Sequence, residues 1–199
     1  MNAVVLPAAA TLEVSVGQCS ERGSKPVQQD FHGVRLPLAA ERAAKGVVAA
    51  LADGIGSSAV SREASEAAVR AAVEDYYATP DAWSVQRSMQ RVLSATNAWL
   101  HAQTQRGPHR NDHDRGYVCA FAALVIKGRT AHLFHAGDVR IYRLHGGQVE
   151  PCTDDHRVQV GGGQAYLSRA LGFHPRLELD YRALAVEAGD VFVLATDGA

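Results

Sequence analysis

At 199 residues and 47% hydrophobic, the chain is long enough to bury one sizeable core and falls within the range of a single domain. With 20 Lys+Arg against 21 Asp+Glu its formal charge is -1, which excludes a global field favouring nucleic acid or an anionic membrane surface. No window approaches the roughly 20 apolar residues that a membrane span needs, and the three cysteines (Cys19, Cys119, Cys152) form no C-x-x-C pair, so they read as reduced thiols of a cytoplasmic protein.

Residues 1–10 are mildly apolar but interrupted by Pro7 and lack a basic start, so they are expected to be a flexible lead-in, with one domain over 11–199. Residues 12–16 alternate as a strand does, and the apolar run 46–52 predicts a buried strand that stops at the turn pair Asp53-Gly54. From Ser58 to about Tyr77, Ala64, Ala67, Ala68, Ala71, Ala72 and Tyr76 recur at helical spacing. Thr79-Pro80-Asp81 breaks that helix, and a second one follows over 83–105, with Val85, Met89, Val92, Leu93, Thr96, Trp99 and Leu100 on its apolar side. The polar stretch 106–116 is expected to be a loop. Residues 118–126, 131–135, 140–144 and 191–195 are strand-like, with turn signals at Lys127-Gly128, Gly137-Asp138, Gly146-Gly147 and Gly189-Asp190. Strands, two helices, then more strands predict an α+β domain in which helices cover an antiparallel sheet.

Three carboxylates stand where an apolar strand meets a glycine: Asp53, Asp138 and Asp197. Any one of them has an ordinary explanation as a turn residue beside a glycine. Together they suggest acids projecting from rigid strand ends into a common rim, the arrangement in which Mg²⁺ or Mn²⁺ finds oxygen ligands. A glycine next to the ligand would let its own carbonyl approach the ion. Asp30, near the end of the first strand region, would be a fourth acid.

Six separated segments then resemble, in order and approximate spacing, the PPM-type metal-dependent serine/threonine protein phosphatases: residues 17–30, Leu51-Ala52-Asp53-Gly54-Ile55-Gly56, His135-Ala136-Gly137-Asp138-Val139-Arg140, Thr153-Asp154-Asp155-His156, Ser168-Arg169-Ala170-Leu171-Gly172, and residues 189–198. Gln28-Gln29-Asp30-Phe31-His32-Gly33 and residues 95–106 are similar to the phosphatase half of bacterial phosphatase–kinase fusions. The resemblance implies an antiparallel β-sandwich flanked by helix pairs, a four-layer α-β-β-α fold. It also implies hydrolysis of phosphoserine and phosphothreonine in proteins, with two Mn²⁺ or Mg²⁺ ions and a weak third, and a serine/threonine kinase as a possible partner. On this basis Asp53 would bridge two ions, the Gly54 carbonyl and Asp197 would each serve one, and Asp138 would contribute to the third. Asp30 would order the waters, one of which attacks phosphorus as hydroxide, and Lys25 would stand where an arginine grips the phosphate, with a point charge in place of a fork.

The chain departs from that pattern at several positions. Gln29 replaces a glutamate, Ser57 a glycine and Val139 a serine, and Cys119-Ala120 stand where a hydroxyl-bearing pair is expected. The family continues past Thr-Asp-Gly to a further aspartate, so a C-terminally truncated, incomplete domain is expected. That leaves open a catalytically weak or inactive module that binds phosphoproteins or a partner kinase. His109 and His113, at i and i+4 in a polar loop, do not make a zinc site; His135 is expected in the core and His156 to hydrogen-bond near a strand end.

Overall fold

The computed structural model describes residues 12–23, 27–56, 59–108, 110, 112, 115–160 and 164–198. In chain order the elements are β1 (Asp30–Arg35), α1 (Ala39–Lys45), β2 (Val47–Gly54) and α2 (Ala59–Arg70), which runs through a π turn (Ala71–Asp75) into α3 (Tyr76–Ala78). Then come α4 (Val85–Arg106), β3 (Cys119–Lys127), β4 (Thr130–Ala136), β5 (Arg140–His145), β6 (Gln148–Pro151), β7 (Arg157–Val160), β8 (Gln164–Leu167), β9 (Asp180–Ala185) and β10 (Val191–Ala195).

One sheet has the order β1-β2-β3-β4-β9 and a second the order β10-β5-β6, while β7 and β8 pair only with each other. All pairings are antiparallel. Alternation along β3 decides the layering, since successive side chains of a strand point to opposite faces. Phe121, Ala123 and Val125 pack with Ala64, Ala68, Ala72, Met89 and Leu93 of the helices. Ala120, Ala122 and Leu124 pack instead with Val139 and Ile141, next to Phe192 and Leu194 of the second sheet. The described residues thus build three layers, helices on sheet on sheet. Fully burying a residue such as Phe121 or Phe134 contributes about 1.5–3 kcal/mol each.

Small residues set how closely the helices approach. A Cβ at Gly33 of β1 would come within 2.9 Å of the Val69 side chain. Ser84 caps α4, its Oγ accepting the Arg87 N–H at 3.1 Å. At the far end of the helical layer, the Tyr76 and Tyr77 hydroxyls donate to the carbonyls of Lys45 and Gly46, at 2.8 and 2.9 Å, tying the π-turn region to the start of β2.

The two long helices and the strands at 46–52, 118–126, 131–135, 140–144 and 191–195 agree with expectation. Residues 12–16 do not: they form no strand, although Leu12 still packs against the inter-sheet core. Asp30 opens β1 and does not end a strand; β1, uniformly half-buried and carrying Gly33, has no period-2 signal by which sequence could place it. No helix among the described residues is long and apolar enough to cross a membrane.

Candidate functional site

The acidic rim starts from strand register. Asp30, first in β1, lies opposite Asp53, seventh in β2, as Cα partners, so the two carboxylates share one face of the sheet. In β2, Ala50 and Ala52 face the helices and Leu51 faces the second sheet. By alternation Asp53 faces the second sheet too, as does Ala120, its partner in β3. The Thr196 hydroxyl donates to Asp30 Oδ2 at 3.2 Å, which brings the end of β10, and with it Asp197, to the same edge.

The turn after Asp53 is braced from both sides. Gly54 N–H donates to the Gln29 carbonyl at 3.3 Å and Ile55 N–H to that of Val118 at 3.0 Å. The buried Gln29 side chain donates through Nε2 to the Gly56 carbonyl at 2.7 Å and to Ser61 Oγ at 2.6 Å. Gln29 therefore acts as a donor to the backbone, a role a glutamate could not fill. Gly54 also has a reason other than the one its sequence position suggests: a Cβ there would lie 2.6 Å from the Ser61 carbonyl oxygen, so the glycine is needed for helix α2 to sit against β2.

A second group of residues adjoins the first. Asp138, buried in the turn between β4 and β5, is bonded by Arg157 through Nε at 3.0 Å and through Nη2, and the same Nη2 reaches Asp197 Oδ2 at 3.3 Å. Two matched segments fix the Asp138 turn. Gly137 donates to His156 Nδ1 at 3.1 Å and accepts the His156 N–H at 2.8 Å. Arg140 grips Asp155 with two bonds of 2.8 and 2.7 Å, and Thr153 Oγ1 accepts the Ile141 N–H at 3.0 Å. The Arg140 bonds hold the Asp155 carboxyl below its ordinary pKa. Gly137, at φ 117, leaves no room for a side chain, because a Cβ would stand 2.5 Å from that of Ala120; Val139 is wholly buried in the inter-sheet core, which accounts for an apolar residue there.

The acids that this edge brings near one another, Asp30, Asp53 and Asp197 with Asp138 alongside, offer hard carboxylate oxygens. That chemistry fits Mg²⁺ or Mn²⁺. Among the described residues, the group of three His, Cys or acidic side chains whose ligand-type atoms all lie within 4.8 Å of one another is not at this rim; it is His135, His156 and Asp180. Because His156 Nδ1 accepts the Gly137 N–H, its Nε2 carries the ring proton and donates to Asp180 Oδ2 at 2.9 Å, while Arg169 takes Asp180 Oδ1 at 3.0 Å. A ring proton and a guanidinium thus already occupy His156 and Asp180 of that cluster. Neither ring nitrogen of the buried His135 has a hydrogen-bond partner; burial, with His156 beside it, lowers its pKa to about 4.

Lys25 lies outside the described residues, as do Ser57, His109, His113 and Gly161-Gly162-Gly163. Sequence inspection missed Arg157 and the bracing role of Gln29. The one signal for Arg157 is a cationic residue directly after Thr153-Asp154-Asp155-His156, opening a strand. The segment 168–172 is structural: Gly172 N–H donates to Asn97 Oδ1 at 2.8 Å, and Asn97 Nδ2 donates to the His174 carbonyl at 3.0 Å.

A family model described as Protein phosphatase 2C matches residues 18–199. No curated protein matches the chain. Among solved structures, PppA, described as a key regulatory component of T6SS in Pseudomonas aeruginosa, is 26% identical, with 87% of this chain and 71% of that one covered and a TM-score of 0.67. The S. agalactiae serine/threonine phosphatase, 23% identical with coverage of 94% and 78%, has a TM-score of 0.71. The Mycobacterium tuberculosis serine/threonine phosphatase, 22% identical with coverage of 85% and 79%, has a TM-score of 0.64. The last two show a shared fold.

Proposed function

The chain belongs to the protein phosphatase 2C family of serine/threonine phosphatases, and from that membership we propose that it removes phosphate from phosphoserine and phosphothreonine in proteins with the aid of Mn²⁺ or Mg²⁺. One observation carries the proposal: Asp30 faces Asp53 across β1–β2 and takes a hydrogen bond from Thr196, the neighbour of Asp197, so acids far apart in the chain meet at one edge. Divalent cations bound there would supply Lewis acidity, which would acidify a water and offset charge on the phosphoryl group. Asp53, Asp197 and the Gly54 carbonyl are the proposed ligands, Asp138 belongs to a weaker position, Asp30 orients water, and Lys25 attracts the phosphate. Residues 11–199 are taken as the phosphatase domain, with 1–10 as a lead-in, acting in the cytoplasm on phosphoproteins and opposing a serine/threonine kinase. The buried thiols Cys119 and Cys152 suit a reducing compartment.

Phosphate release from a phosphothreonine peptide with Mn²⁺ tests this directly. Asp53→Asn is expected to lower turnover by at least about 100-fold and to remove most of the heat of Mn²⁺ binding. Folded wild-type protein that binds Mn²⁺ yet releases no phosphate would sink the hydrolytic proposal. A second possibility, a module that binds phosphoproteins or a kinase without turnover, is favoured by the guanidinium of Arg157 on Asp138 and Asp197. It predicts phosphopeptide binding without release in the same assay.

A further inference from the structure

We propose that Arg157 is a built-in competitor for the divalent cation: its guanidinium takes the carboxylate oxygens of Asp138 and Asp197 and, in doing so, latches the β7–β8 ribbon onto the acidic rim. The inference rests on the metal-dependent function proposed above and adds to it a residue that sets ion affinity and couples it to the position of a separate structural element.

Arg157 is the first residue of β7, and the ribbon it belongs to pairs with neither sheet. The base of the ribbon is held by backbone bonds, His156 N–H to the Gly137 carbonyl and Ser168 N–H to the His156 carbonyl, both 2.8 Å. At that base Arg157 adds a side-chain attachment to the rim, through Asp138 and Asp197. Val158 and Tyr166, cross-strand partners in the ribbon, are both about half exposed.

Electrostatics sets the Arg157 bonds in competition with an ion at the same oxygens. Asp138 is only 7% exposed, and a buried carboxylate needs a counter-charge. Arg157 supplies one by bonding Asp138 Oδ2, and Asp197 Oδ2 shares the same Nη2. A divalent cation drawing on these atoms would face a fixed positive charge at hydrogen-bond distance. The Arg157 side chain is 37% exposed, so it has solvent to move into when it lets go. Asp155, whose own carboxylate is held by Arg140, lies near enough to favour the charged guanidinium. By linkage, whatever affinity the ion gains when Arg157 is absent, the ribbon loses in attachment when the ion binds.

The test uses the full chain and Mn²⁺ alone. Calorimetric titration, with free Mn²⁺ followed by electron paramagnetic resonance, compares wild type with Arg157→Gln. Hydrogen exchange of the amides in 157–160 and 164–167 is then followed in wild type with and without Mn²⁺. The weakest Mn²⁺ step is expected to tighten about tenfold or more in Arg157→Gln, since one charge-assisted pair no longer competes. Arg157→Lys, which keeps the charge but not the fork, should fall between. In wild type, saturating Mn²⁺ should speed exchange in the ribbon, while β2, which carries Asp53 and Gly54, should exchange no faster. Equal Mn²⁺ affinity in wild type and Arg157→Gln would overturn the latch while leaving the metal site standing, and ribbon exchange unaffected or slowed by Mn²⁺ would overturn it without recourse to any variant. Absence of Mn²⁺ binding in every protein would remove the metal-dependent function and the latch together.

Discussion

Replacing Gln29 by glutamate restores the residue type that the family resemblance implies, yet the structure predicts that the metal-free protein suffers for it. The Gln29 amide donates to the Gly56 carbonyl at 2.7 Å and to Ser61 Oγ at 2.6 Å. The serine hydroxyl can rotate and donate to a carboxylate, so that contact survives Gln29→Glu. The carbonyl cannot, and it is left facing a negative charge beside Asp30, whose partner across the strands is Asp53. An acceptor deprived of its donor costs roughly 1–3 kcal/mol, and since Gly56 is exposed and water can reach it, the lower half of that range applies, about 1–2 kcal/mol. For a chain of this length that lowers Tm by roughly 3–6 °C. Thermal unfolding followed by circular dichroism in EDTA measures it. Gln29→Met, which loses the donor without adding charge, should show a similar drop. Saturating Mn²⁺ should recover more stability in Gln29→Glu than in Gln29→Met, because only the former adds an anionic oxygen near the rim. A metal-free Tm for Gln29→Glu equal to or above that of wild type would refute the assignment of Gln29 as a donor to the Gly56 turn.

Two further outcomes are expected. His135 titrates near 4 in the folded protein against 6.5 when unfolded, so below pH 6.5 the unfolded chain takes up a proton that the folded one does not. Its contribution, roughly 3 kcal/mol, is full above pH 6.5 and is lost as pH falls towards 4. His135→Phe should flatten the urea-midpoint profile across that window, and a profile parallel to wild type would contradict it. Gly172, at φ 81, would place a Cβ 2.0 Å from the Tyr117 carbonyl oxygen. Gly172→Ala should therefore cost at least about 2 kcal/mol in chemical denaturation, and an unchanged midpoint would show that the 168–172 segment can shift at little cost.

Much of the layering was legible because it depends on local period. The alanine-rich helix over 58–77, the helix from 83 and the apolar strand ending at Asp53 each carry a repeat that burial of one face imposes. The short ribbon of β7 and β8, the half-buried β1 and the exposed β9 have no such repeat, and 12–16 has one without forming a strand, since alternation does not supply a partner edge. Gly54 illustrates the same limit at the site: its place beside an aspartate suggested access for an ion, whereas the atom that forbids a side chain belongs to Ser61, in the following helix.

Sequence by itself determined the α+β class, the two long helices and which acids end apolar strands, because periodicity and turn chemistry are written in neighbouring residues. Tertiary structure alone decided that Asp30 pairs with Asp53, that Gln29 donates to the turn after Asp53, and that Arg157 lies between Asp138 and Asp197. Those contacts join positions 19 to 40 residues apart, and only strand register and sheet stacking bring such positions within reach of a hydrogen bond.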